Sequence, residues 1–205
     1  MRRRLVLSIV GAAVLLLTCV GSASAGTAPR YGWILQLRNT AFDVRGEDMT
    51  YREFRALATA KDGAFERTWV DDAGTPADPA DDLTYKGLTL RRLVARIDDG
   101  DPATFNKTRA AKGYAVVVTA MDGFTSTYTS EEVMTIGAKI VVADLVNGGP
   151  LAVPTATLKD NGDGTFSASW KPLWPLKVVS DDPAITGKRK PGGALRISIV
   201  PLPPA

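Results

Sequence analysis

The chain has 205 residues, with 25 Lys and Arg against 22 Asp and Glu, one cysteine and no histidine. That inventory excludes Ser-His-Asp and Cys-His catalysis, and with them ordinary zinc sites, all of which need histidine or several cysteines. Without Arg2, Arg3 and Arg4, 22 basic residues meet 22 acidic ones, so no net field points to nucleic acid or to an acidic membrane surface.

Those three arginines form a basic head in front of an apolar stretch, residues 5–17 (LVLSIVGAAVLLL), and Ala23, Ser24 and Ala25 supply small residues behind it. This three-part plan predicts a secretory signal peptide over residues 1–25, cleaved after Ala25, and a single domain over residues 26–205. The expected location is secreted or periplasmic, with no membrane span after cleavage, because the apolar stretch is shorter than the roughly 20 residues that a span needs. A retained anchor and lipidation at Cys19 are the alternatives. The start RRRLV partly resembles a twin-arginine signal, but a strongly apolar core behind several arginines favours the general export route.

Residues 33–38 (WILQLR) predict the first strand. Thr50 and Glu53 have capping-box spacing, and Tyr51, Phe54, Leu57 and Ala58 recur on one face of the helix that follows. Residues 65–70 (FERTWV) alternate as a strand. Proline, glycine and acid density make residues 71–82 a loop, for which calcium binding is the functional alternative to a solvated turn. Extended structure resumes at 83–85. Leu90, Leu93, Val94 and Ile97 mark a second helix, stopped by Asp98, Asp99 and Gly100. Strands at 115–119 and 124–128 flank an Asp122-Gly123 hairpin signal. Tyr114 and Tyr128 flank the same hairpin, where a structural role is expected. Thr129 and Glu132 form a second capping box. A central strand over 139–146 is expected to end at Asn147-Gly148-Gly149-Pro150. Strands at 155–159 and 165–170 flank Asn161-Gly162-Asp163-Gly164, which does not fit EF-hand spacing and reads as a turn. Strands at 176–179 and 195–200 close the domain, with the basic run Lys188-Arg189-Lys190 in the loop between them. The predicted class is α+β, with a mostly antiparallel or mixed β-sheet and a few short helices.

The ordered series Tyr85-x-Gly87-x-x-Leu90-x-x-Leu93, Gly113-Tyr114, Asp122-Gly123-Phe124, Val141-Val142-Ala143 and Gly149-Pro150-Leu151 resembles the oxidoreductase molybdopterin-binding domain, the fold of the sulfite-oxidase group, over about residues 34–200. The resemblance implies scaffold roles: Gly87 for a sharp strand-to-helix turn, Leu90 and Leu93 to seat the helix, and Gly149 and Pro150 to stop a strand. It also implies a molybdopterin cofactor, which catalytic members hold through a cysteine thiolate, with histidine near the cofactor. The matching region here is residues 65–70, no cysteine follows Ala25, and a threonine or tryptophan does not replace a soft thiolate. The expectation is an exported, non-catalytic domain with no cofactor, binding a small molecule or another exported protein. The alternative is a molybdopterin-dependent oxidoreductase, or a subunit of one, that holds the pterin without a thiolate.

Aromatic residues beside cations suggest where such a ligand binds. Arg67, Trp69, Trp170 and Trp174 are the candidate ligand-binding residues. Core packing with the indole nitrogens at the rim is the competing account of the tryptophans. No catalytic residue and no metal ligand is expected.

Overall fold

The computed structural model describes residues 32–60, 65–71, 82–151, 157–160, 166–169 and 174–202. The expected signal segment over residues 1–25, Trp170, most of the acidic loop and the expected turn over residues 161–164 lie outside the described residues.

The described chain is α+β. Its first sheet contains β2 (Glu47–Thr50), β1 (Ile34–Asn39), β12 (Ala194–Val200), β5 (Ala115–Ala120) and β6 (Thr125–Thr129), in that spatial order. β1 and β12 run parallel and the other pairs antiparallel, so this sheet is mixed. A second, antiparallel sheet has the order β11 (Lys177–Ser180), β7 (Ile140–Val146), β4 (Leu83–Thr89) and β3 (Glu66–Asp71). β9 (Thr157–Asp160) and β10 (Phe166–Ser169) form a separate antiparallel pair, as expected of the segments around Asn161.

The short helices sit where side chains can satisfy their first free amides. α1 (Tyr51–Ala58) and α4 (Ser130–Thr135) start with the predicted capping boxes: Thr50 and Thr129 accept from the amides of Glu53 and Glu132, whose carboxylates return the bond. α1 buries Phe54 and Ala58, and the Trp33 ring meets Phe54 edge-on at 5.4 Å. α2 (Leu90–Val94) buries its leucines and packs against β4 and β7 of one sheet and β12 of the other. The chain reading missed α3 (Lys107–Ala111), which is one short turn longer than its cap at Asn106 and has no apolar stripe of its own.

Two expectations at glycines are corrected. Gly87 lies inside β4, at a register shift against β7, and not at a strand-to-helix turn. A Cβ there would come within 2.1 Å of the Val142 carbonyl oxygen, so glycine permits close approach of two strands. Gly149 and Pro150 do not stop the chain's pairing. They form β8 (Gly149–Pro150), which folds back on β7 through Asn147 and Gly148, both at positive φ (48° and 77°). By contrast, Asp122 is not at positive φ. The β5–β6 loop places only Gly123 there, and the Asp122 carboxylate accepts from the Phe124 amide.

Candidate functional site: an arginine-lined cleft beside β3

β3 is the strand on which the predicted site rests. Its period-two geometry sends Phe65, Arg67 and Trp69 to one side and Glu66 to the other. Glu66 faces a network on the reverse side. There Arg55 of α1 bridges Glu66 and Asp144 at 3.0 Å each, and Lys86 adds a 3.2 Å contact to Glu66. Burial pushes the Asp144 carboxyl up to about 6, against the opposing pull of Arg55.

Arg67 is exposed and stands between two cavities that share it and Ala138. The first, of about 250 Å³, is walled by Phe65, Arg67, Arg91, Arg92 and Phe105 together with small residues of α2 and the 101–105 loop. The second, of about 200 Å³, is walled by Arg67, Thr68, Trp69, Lys139, Val141 and Asp181. Trp69 is half-buried, and its ring stacks on Tyr85, its cross-strand partner, with centroids 5.8 Å apart. Lys190 lies 5.1 Å from the Trp69 ring, and Lys177 lies 4.7 Å from the Tyr85 ring while donating to its hydroxyl at 3.1 Å. Trp69 thus packs inward against Tyr85 and also lines the second cavity.

The arginines of the first cavity are positioned by backbone carbonyls. Arg91 donates to the Val133 and Met134 carbonyls at the end of α4, at 3.1 and 2.5 Å. Arg92 reaches the Pro102 and Ala103 carbonyls at 2.7 and 2.6 Å, with its guanidinium 4.0 Å from the Phe65 centroid. Its Nε has no hydrogen-bond partner among the described residues, and burial, with Arg96 nearby, holds its pKa below the usual arginine range. Among the described residues no carboxylate forms an ion pair with Arg67, Arg91 or Arg92.

Arg67 and Trp69 are thus brought together, as the sequence suggested. Trp174 is half-buried before a cis Pro175 and lines neither cavity, while Trp170 lies outside the described residues. Arg91, Arg92, Phe105 and Lys139 were missed. No spacing signalled Arg92, which lies about half a turn round α2 from Leu90 and yet is buried. The basic run proves structural where described. Arg189 makes a bidentate pair with Glu132 at 2.7 and 2.8 Å, the Tyr128 hydroxyl donates to the Arg189 carbonyl, and Lys190 donates to the Ser180 carbonyl at 2.7 Å.

The segment that the resemblance sets against a ligating cysteine, residues 65–70, carries a carboxylate, a guanidinium, a hydroxyl and an indole but no thiolate. Among the described residues no group of three His, Cys, Asp or Glu could hold a metal ion. These residues do not fit a thiolate-held molybdenum centre. No described helix is long and apolar enough to cross a membrane. Compared with known proteins, the chain matches no family model, and no curated protein matches it in sequence.

Proposed function

We propose that this chain is an exported, non-catalytic binding domain on a scaffold like that of the sulfite-oxidase molybdopterin-binding domain, and that the β3 cleft takes a small organic ligand. The observation that carries this reading is the position of Arg67 between two adjoining cavities, one walled by Phe65 and Phe105 and the other by Trp69. Concave sites of this kind bind by apolar contact, and a few polar groups fix orientation. The motif order supports the scaffold. The missing thiolate supports a role other than redox catalysis.

A ligand-observed NMR screen of small organic molecules against the purified chain tests the reading. Hits are expected, and Arg67→Ala should weaken them about tenfold, the effect of losing one partly desolvated polar contact. Hits that bind Arg67→Ala and Trp69→Phe variants unchanged would move the ligand out of this cleft.

A further inference from the structure

We propose that the chamber around Arg92 receives the negatively charged oxygens of an organic anion, a carboxylate, sulfate or phosphate carried on a small apolar body. The inference rests on the cleft reading above and adds the chemical class of its ligand.

Arg92 is the anchor. Its residue is 9% exposed, so a full charge sits almost out of water, and such charges are normally paired. Among the described residues its partners are two neutral carbonyls and the face of Phe65, and its Nε has no acceptor. Carbonyls orient the guanidinium without neutralising it. Asp101 and Glu47 favour the charge without forming an ion pair with it, and neither lines the chamber. Arg91 is committed in the same way, to the carbonyls that end α4, and lies 6.0 Å from the Phe105 ring. Arg67 contributes a third guanidinium from the open side, and it donates to the Glu66 carbonyl of its own strand at 3.1 Å.

Three cations therefore share one wall, and among the described residues no carboxylate forms an ion pair with any of them. Like charges gathered in this way repel one another. An oxyanion relieves that repulsion and supplies the acceptor that Nε lacks, through charge-assisted bonds of the stronger kind. Phe65 and Phe105 supply the apolar part of the wall. A cavity of about 150 Å³ holds a benzene ring, so a chamber of about 250 Å³ has room for a ring with a charged group.

Calorimetric titration of the full chain with phenyl phosphate, benzoate, inorganic phosphate and neutral benzyl alcohol tests this. Phenyl phosphate or benzoate should saturate one site and bind at least about tenfold more tightly than benzyl alcohol, with affinity falling as salt rises. The stronger of the two identifies the phosphate or carboxylate class, and inorganic phosphate shows whether the head group binds without the ring. Arg67→Gln, at an exposed position, should weaken binding about tenfold. Arg92→Lys keeps the charge but removes the fork, and should weaken it as much. If the Arg92 variant does not fold, Arg67→Gln decides. Binding of benzyl alcohol as tight as that of both anions would overturn the anion assignment and leave the cleft reading standing. Anion binding untouched by Arg67→Gln would overturn the assignment as well. Failure of every probe here and of the NMR screen would overturn both.

Discussion

Two buried carboxyls set how this domain responds to pH. Asp98 is fully buried. One of its oxygens accepts from the Asn106 amide at 2.7 Å, and the other has no partner among the described residues. Burial raises its pKa from 3.8 to about 6, as it does for Asp144. Both folded-state values lie above the unfolded ones, so the folded chain binds protons more tightly. The stability that this linkage contributes is full below pH 3.8 and is lost as pH rises through 6. Each shift corresponds to something on the order of 3 kcal/mol. Glu132 works in the opposite sense, since Arg189 holds its pKa below 4.5, and its contribution fades only in more acidic solution. The melting temperature should therefore be higher at pH 5 than at pH 7, and Asp144→Asn should flatten that difference. A melting temperature that climbs steadily from pH 5 to pH 7 would show that the two acids are not held as described. Gly87 is a second residue-scale test. Alanine there drives a methyl into the Val142 carbonyl, and urea denaturation should show a loss of at least about 2 kcal/mol.

At the scale of elements, the helices are too short to stand without their caps. Thr129→Ala should cost about 1 kcal/mol in urea denaturation with an unchanged m-value. Glu132→Ala should cost more, because Glu132 closes the cap and also holds Arg189 in the 3-10 turn Gly187–Arg189. Equal losses for the two substitutions would mean that the Arg189 pair contributes nothing measurable. Both caps were legible in the sequence because the groups that satisfy each other lie three residues apart. The same locality exposes the limits of the reading. Gly87 is required by a strand 55 residues away in the sequence, and no spacing around it reveals that contact. Asn147-Gly148 was visible as a turn, but Gly149 and Pro150 read as chain breakers and hid the return strand β8. The basic run read only as a loop because Glu132, the partner of Arg189, is distant in sequence.

For the whole molecule, hydrophobic alternation and turn residues made the α+β class and most strand positions visible, since each depends on near neighbours. The cleft was only half visible. Arg67 and Trp69 share a strand face, and alternation alone puts them together. Arg91, Arg92 and Phe105 join them only when α2 and the 101–105 loop fold against β3, which is tertiary information. On the proposed reading, the fold carries a ligand and holds no thiolate-bound metal. Quantifying molybdenum and pterin in protein purified from its own source, with cofactor synthesis intact, tests that claim most directly. The account predicts substoichiometric background for both, and one molybdenum per chain with pterin fluorescence released on denaturation would contradict it.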